Sequence, residues 1–259
     1  MIATIEKDKE TYQIDLSKAL DLSIPLRASP DNPSAWYVDP PRIEAVRSET
    51  FTGSVKEGGS VNFRNIFFNP HGHGTHTECV GHISEEIHSI NQNLKQFFFW
   101  AELVSVQAEL QENKDQVITA AQLKKTRKHK TAEALIIRTL PNNKGKLSAQ
   151  YSNTNPAYVE AQAVQEMIES GIQHLLLDLP SVDRENDGGK LSAHHTFWEH
   201  PKNTQMQRTI TEMIFVPNEI KDGLYLLNLQ IAPFENDASP SKPILYALSR
   251  TQTNEALRS

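Results

Sequence analysis

Histidine and acidic side chains are concentrated in one short stretch of this chain, residues 70–82. Four of the ten histidines and one glutamate lie within it: His71, His73, His76, His82 and Glu78. Imidazole and carboxylate groups bind divalent metals and move protons near neutral pH. Three glycines interrupt the stretch and let the backbone turn sharply, so that these side chains can converge on one point. The stretch therefore predicts half of an active site.

The spacing of His76 and Glu78 adds to this interpretation. Because the two residues are two positions apart, their side chains face the same way in an extended segment. Such a pair is a workable start for a metal site, although surface His and Glu residues often meet by chance. The neighbouring glycines favour a functional site over a glycine-rich structural loop.

Composition limits the classes of protein to which the chain can belong. Its 259 residues are 38% apolar and 22% charged, which suits a soluble globular protein. A net charge of −6 argues against a nucleic-acid partner, since phosphate binding needs clustered Lys and Arg. The basic cluster at residues 124–130 is interpreted as a solvated helix end or loop. No apolar run approaches the roughly 20 residues that span a bilayer, so no membrane association is expected.

The expected location is the cytoplasm. Cys79 is the single cysteine, which excludes an intrachain disulfide and suits a reducing compartment. Residues 1–8 lack the basic segment and apolar core of a secretory signal.

Apolar patterns predict many strands and few helices. Extended segments are predicted at residues 12–17, 43–51, 62–69, 103–106, 135–137, 172–178, 223–231 and 244–248. Helices are predicted after Thr119 and over residues 156–169, the latter capped by Asn155 and ended by Ser170-Gly171. The order strand, helix, glycine, strand predicts that 135–138 and 175–178 are parallel neighbours. No linker is evident, so residues 1–259 are predicted to form a single domain.

The histidine-rich stretch resembles the G-T-H-x-D-x-P-x-H motif of the bacterial kynurenine formamidase and cyclase family. Residues 74–78 and His82 carry this resemblance. Further landmarks of the family follow in its order: a D-x-S strand at 14–17, a strand ending in Arg138-Thr139, a D-x-P-S-V-D loop at 178–183, and His194-His195 before Glu212. The landmarks are specific as a set, whereas any one alone would not be.

The resemblance implies an α/β fold, with a mixed, barrel-like β-sheet flanked by a few helices. It also implies that the cofactor is a divalent metal, zinc or alternatively manganese. The residues that resemble metal ligands are His76, Glu78, His194 and Glu212, and His82 resembles the catalytic histidine that moves protons. His194 is preferred to His195 because Phe197 and Trp198 then fall where the family has apolar residues.

Two positions depart from the family pattern. Gly72 stands where the first histidine ligand is expected, and Val80 replaces a proline. His71 and His73 flank the gap, but in a regular strand both would point to the other side. A bulge could bring either one back, so the ligand and the metal count stay open.

The implied function is metal-dependent hydrolysis of a small amide, a carbon–nitrogen bond other than a peptide bond. The resemblance is to arylformamidase, which hydrolyses N-formylkynurenine in tryptophan catabolism, with His82 as general base. One alternative is hydrolysis of another small cyclic amide or ester, as by isatin hydrolase. The other alternative is a non-catalytic ligand-binding relative, which Gly72 favours. A homodimer or homotetramer is expected from the family.

Overall fold

The regular secondary structure is mostly β-strand in the computed structural model, which describes residues 1–251. The strands are β1 (Ile2–Lys7), β2 (Glu10–Asp15), β3 (Leu20–Asp21), β4 (Arg42–Ala45), β5 (Arg64–Phe67), β6 (His76–Glu78), β7 (Phe98–Gln107), β8 (Glu109–Leu110), β9 (Gln116–Ile118), β10 (Ala134–Leu140), β11 (Tyr158–Val159), β12 (His174–Leu177), β13 (Thr209–Glu212), β14 (Gly223–Ile231), β15 (Ala238–Ala247) and β16 (Ser249–Arg250). The α-helices of this region are α1 (Ile90–Asn93), α2 (Ala120–Thr126), α3 (Ala161–Glu169) and α4 (Ser192–Trp198). Short 3-10 turns lie at Val55–Glu57, Val80–His82 and Lys144–Ser148.

Seven of these strands close into a barrel. Their order is β14, β7, β10, β12, β13, β6 and β15, and β15 pairs back onto β14. Strands β7, β10, β12 and β13 are parallel, whereas β6, β14 and β15 pair antiparallel with their neighbours. The predicted mixed, barrel-like sheet with few helices in one domain is confirmed, as is the parallel pairing of 135–138 with 175–178.

Strands β10 and β12 are buried on both faces, which explains the continuous apolar runs at 134–137 and 175–177. In β10, Leu135 and Ile137 pack with the helices, while Ala134 and Ile136 join a second apolar cluster on the opposite face. Alternate side chains of a strand point to opposite faces, so a strand that is covered on both faces needs apolar residues at successive positions.

The helix starts are partly as predicted. Thr119 caps α2, and its side chain and that of Gln122 form a reciprocal capping box. The prediction that α3 starts at Pro156 is wrong, because the helix begins at Ala161. The residues before it form β11, whose Val159 N–H donates to the Val182 carbonyl. Tertiary hydrogen bonds there outweigh the local helical periodicity.

Among the described residues, no helix is both long enough and apolar enough to cross a membrane. The longest of them, α3, has nine residues.

His174, at the start of β12, is a buried histidine outside the histidine-rich stretch. Its Nδ1 lies 2.9 Å from the Thr209 hydroxyl on β13. Burial lowers the pKa of His174 to about 4, so folding favours the neutral ring. The resulting stability is complete above the ordinary pKa of 6.5 and is lost as the pH falls from there towards 4.

We expect this titration to appear in the free energy of unfolding. Between pH 7.5 and pH 5.0, the stability of the unsubstituted chain relative to His174→Gln should fall by about 2 kcal/mol. Urea denaturation at the two pH values measures the difference. His129→Gln, which removes a half-buried histidine after α2, is the matched control and should show no such change. A pH-independent difference for His174→Gln would contradict the prediction.

Candidate metal centre

Strand pairing brings residues from both halves of the chain to one place. His76 on β6 is the Cα partner of Glu212 on β13, and the His76 Nε2 lies 3.4 Å from the Glu212 Oε2. Thr77 and Thr211, one position along each strand, point to the opposite face and their hydroxyls lie 2.8 Å apart. The period of two therefore sorts ligand-type side chains onto one face of the sheet.

Glu78 lies at the centre of this cluster and is fully buried. Its Oε1 is 3.1 Å from the His194 Nε2. Its Oε2 is 3.0 Å from the His71 Nδ1 and 3.9 Å from the His82 Nδ1. The carboxylate thus connects the histidines of residues 70–82 with the histidine of α4.

Asp183 holds His194 in position. Its Oδ1 accepts the backbone N–H of Ala193, and its Oδ2 accepts the backbone N–H of His194. The same Oδ2 accepts a 2.7 Å hydrogen bond from the His194 Nδ1, so the Nε2 faces Glu78. His195 points elsewhere, with its Nδ1 bonded to the His200 carbonyl. Of the two adjacent histidines, the structure brings only His194 into the cluster, as the sequence analysis prefers.

The other two buried side chains of the cluster, His76 and Glu212, are also oriented by hydrogen bonds to the backbone. The His76 Nδ1–H donates to the Gly74 carbonyl at 3.0 Å, which leaves the Nε2 as the acceptor atom. The Glu212 Oε1 accepts the Val182 N–H at 2.9 Å. Partners of this kind fix the tautomer and the orientation of metal ligands in proteins.

Three side chains form the open side of the cluster. His71, His82 and Asp237 are 18%, 30% and 26% exposed, whereas His76, Glu78, His194 and Glu212 are at most 4% exposed. The His71 and His82 rings stack with their centroids 4.3 Å apart. The Asp237 Oδ2 lies 2.8 Å from the His71 Nε2 and 3.5 Å from the His82 Nδ1. A substrate approaching from solvent would meet these three groups first.

The structure also decides between the two histidines beside Gly72. His71 is in the cluster, whereas His73 points away and its Nδ1 accepts the Asn69 N–H. A Cβ added at Gly72 would lie 2.7 Å from a methyl group of Val38 and 3.1 Å from the Ala35 carbonyl oxygen. A side chain at position 72 would therefore run into the loop at residues 35–38 and not into the cluster.

The donor atoms fit a divalent cation. The ligand atoms of His71, His76 and Glu78 lie within 4.8 Å of one another, as do those of Glu78, His82 and His194. The His76 Nε2 and the Glu78 Oε2 are buried and make no hydrogen bond of regular geometry, although the His71 Nδ1 approaches the Glu78 Oε2 to 3.0 Å. Buried polar atoms are normally satisfied, so these two acceptors facing one centre fit a site for a divalent cation.

The protonation states in the metal-free arrangement follow from this crowding. Burial disfavours charge on His194, but its hydrogen bonds to Asp183 and Glu78 outweigh burial and raise the pKa of His194 to about 10. Burial likewise opposes charge on His71, and Asp237 with Glu78 raises the pKa of His71 to about 10. Burial alone would raise the pKa of Glu78, yet the charges of His82 and His194 hold it well below its usual range. His71 and His194 would each have to bind a metal through a deprotonated nitrogen, because imidazole ligates metals in its neutral form.

Two neighbouring residues have structural roles. Burial raises the pKa of the Cys79 thiol to about 11, and its Sγ donates to the His88 carbonyl, so Cys79 is a packed residue. Asp178 accepts hydrogen bonds from the backbone and hydroxyl of Thr139 and from Lys146, so it joins the ends of β10 and β12. Asp178 makes no contact with the cluster among the described side-chain hydrogen bonds.

Asp237 was not found by the sequence analysis. It lies in the turn between β14 and β15, 155 positions after His82, within no motif of metal-ligand spacing. Only the pairing of β15 with β6, in which Ala238 is the partner of Glu78, brings it to the cluster.

Comparison with known proteins identifies both a family and a fold. The family described as "Putative cyclase" matches residues 14–184, more than half of the chain. Three solved structures share the fold: a predicted metal-dependent hydrolase from Bacillus stearothermophilus (TM-score 0.61, 16% identity, 88% of this chain and 98% of that chain), isatin hydrolase A from Ralstonia solanacearum (0.63, 14%, 89% and 92%), and isatin hydrolase A from Labrenzia aggregata bound to benzyl benzoate (0.65, 13%, 89% and 93%). No curated protein sequence matches the chain significantly.

Proposed function

This chain belongs to the Putative cyclase family, and on that basis we propose that it is a metal-dependent hydrolase of small amides. The observation that carries the proposal is the pair of buried acceptor atoms without a regular hydrogen bond, His76 Nε2 and Glu78 Oε2, inside a cluster of histidines and carboxylates. In the proposed site, His76, Glu78, His194 and Glu212 hold the metal, and His82 is the general base. Zinc is the preferred ion and manganese the alternative.

The proposed amide hydrolysis requires a buried divalent cation and a general base that the substrate can reach. A bound divalent ion would polarise the substrate carbonyl and lower the pKa of water towards neutrality. His82 lies at the exposed side of the cluster, where it reaches both solvent and the buried centre. There its ring would accept a proton from the attacking water and return it to the leaving nitrogen.

The proposed substrate is an N-formyl aryl amide, as in arylformamidase, which would place the chain in tryptophan catabolism. A cyclic amide or ester is the second candidate, and the fold shared with isatin hydrolases supports it. The N-formyl aryl amide and the cyclic aryl amide both present a carbonyl next to an aryl nitrogen, so the same metal and base would serve either. The cytoplasmic location inferred from the single cysteine is part of this proposal.

The test compares metal-free protein with protein reloaded with Zn²⁺ or Mn²⁺. N-formylkynurenine, isatin and an aryl ester are supplied in parallel, and product formation is followed by absorbance. We expect one substrate class to be hydrolysed only after metal is restored. If the protein binds metal but hydrolyses none of the three, the ligand-binding alternative is supported instead. Equal turnover by metal-free protein would contradict the metal-dependent mechanism.

The expected homo-oligomer has a candidate surface in the ribbon formed by β4 and β5. All four residues of β5 are exposed, and the ribbon region presents Phe63 (58% exposed), Ile66 (55%) and Phe67 (44%). With the neighbouring Phe51, Val55 and Val61 these side chains expose roughly 500 Å². A two-stranded ribbon is marginal alone, and pairing two copies would bury about 1,000 Å², the lower limit for a specific interface. We therefore propose that a second copy of the chain covers the ribbon.

Substitution of two ribbon residues tests this surface. The double variant Phe63→Ser/Ile66→Ser should raise the dissociation constant of the oligomer at least tenfold, because it removes two of the largest apolar contacts. Light scattering over a dilution series measures the mass. Leu110→Ser, which alters an exposed residue on β8, is the control. An unsubstituted chain that is monomeric at every concentration would contradict the proposal that a second copy covers the ribbon.

A further inference from the structure

His71 lies one residue ahead of the family's ligand position, yet its ring lies inside the cluster. The His71 Nδ1 is 3.0 Å from the Glu78 Oε2, and the ring meets that of His76 edge-on at 5.2 Å between centroids. Two ligand atoms that share a tetrahedral zinc at about 2.0–2.2 Å lie roughly 3.4 Å apart. The observed separation is therefore close to that of two atoms bound to one ion.

Asp237 lies on the other side of the same ring. The His71 Nε2–H donates to the Asp237 Oδ2 at 2.8 Å. With that proton engaged, Nδ1, the atom that faces Glu78, would carry the lone pair once the ring is neutral, as metal binding requires. A carboxylate behind a histidine is the usual arrangement that orients a metal-ligating imidazole and strengthens it as a ligand.

Backbone hydrogen bonds fix the turn that carries Asp237. The Asp237 carbonyl accepts the Cys79 N–H at 3.0 Å, and the Asn236 carbonyl accepts the Ile90 N–H at 2.8 Å. A Cβ at Gly81 would lie 2.3 Å from the His88 carbonyl oxygen and 3.1 Å from the Asp237 Cβ. Gly81 therefore permits the close approach of the Asp237 turn to the histidine-rich stretch.

From these contacts we infer that His71, oriented by Asp237, supplies the metal ligand that the family motif has at the position of Gly72. The inference rests on the proposed metal-dependent function and adds to it a ligand and a positioning residue. Gly72 and His71 together then replace the single histidine of the family motif. The side chain is absent where the loop at residues 35–38 crosses the backbone, and the imidazole comes from the preceding residue.

The experiment is a double-mutant cycle on zinc affinity. Metal-free protein is titrated with Zn²⁺ against a chromophoric chelator for the unsubstituted chain, His71→Gln, Asp237→Asn and His71→Gln/Asp237→Asn. Because His71 is a ligand, His71→Gln should weaken zinc binding at least a hundredfold. Asp237→Asn should weaken it about 10–100-fold, the range for an outer partner of a ligand. The double variant should be no weaker than His71→Gln, since Asp237 acts through His71.

Two further variants complete the design. His73→Gln removes the flanking histidine that points away, and its zinc affinity should stay within threefold of the unsubstituted chain. His76→Gln removes a ligand of the proposed site and should weaken binding strongly. Circular dichroism of each metal-free variant checks that the fold is retained, and the conservative Asp237→Asn keeps the size of the side chain.

The outcomes separate this inference from the proposed function. If His71→Gln binds zinc as tightly as the unsubstituted chain while His76→Gln does not, the inference is wrong and the metal centre stands. If Asp237→Asn weakens binding equally with and without His71, Asp237 does not act through His71. If the unsubstituted chain binds neither Zn²⁺ nor Mn²⁺, the proposed function and this inference both fail.

Discussion

Replacement of Glu78 by glutamine is expected to lower kcat/KM about 10²–10³-fold and to reduce zinc affinity at least a hundredfold. Glu78 is buried, and its two oxygens face His194 on one side and His71 and His82 on the other. Removing its charge deprives the proposed cation of its most central carboxylate. Loss of a single electrostatic contact of this kind costs about 3–4 kcal/mol of transition-state stabilisation.

The measurements are steady-state hydrolysis of the substrate identified by the panel and zinc titration against a chelator. Glu86→Gln, which changes an exposed glutamate four residues past His82, is the control and should leave both quantities unchanged. Glu212→Gln should resemble Glu78→Gln, because Glu212 lies across the paired strands from His76. A Glu78→Gln protein that keeps both its metal and its activity would exclude Glu78 as a ligand.

Replacement of His82 by alanine is expected to lower kcat about 10²–10⁴-fold with little change in zinc affinity. His82 lies at the open side of the cluster, 3.9 Å from the Glu78 oxygen, and is 30% exposed. A general base at such a position contributes to proton transfer in the transition state and not to holding the cation. A large loss of kcat without a loss of zinc affinity would therefore distinguish a general base from a metal ligand.

Metal content by mass spectrometry and kcat measured at saturating substrate test the role of His82. His88→Ala, which removes a half-buried histidine outside the cluster, is the matched control. Undiminished activity of His82→Ala would show that another group moves the proton. A parallel loss of metal and activity would show instead that His82 is a ligand.

The apolar patterns predicted the parallel strands of the barrel better than the start of α3. Leu135–Ile137 and Leu175–Leu177 are buried on both faces, and their uninterrupted apolar sequences are a strong local signal. The residues before α3 carry helical periodicity, but Val159 and Glu160 donate their N–H groups to the Val182 and Ile118 carbonyls. Contacts with residues far along the chain decide such a boundary, and a local pattern does not contain them.

The sequence by itself determined which residue types meet and which strand faces carry them. The period of two puts His76 and Glu78 on one face, and the resemblance to the family adds His194 and Glu212 from the second half. Tertiary structure alone decided that His71 and not His73 joins them, because His71 faces Glu78 whereas His73 turns away to accept the Asn69 N–H. It alone also revealed Asp237, because the pairing of β15 with β6 joins positions that are distant in sequence. The spacing of residues along a strand determines the direction of their side chains, whereas the meeting of side chains from different strands depends on which strands become neighbours.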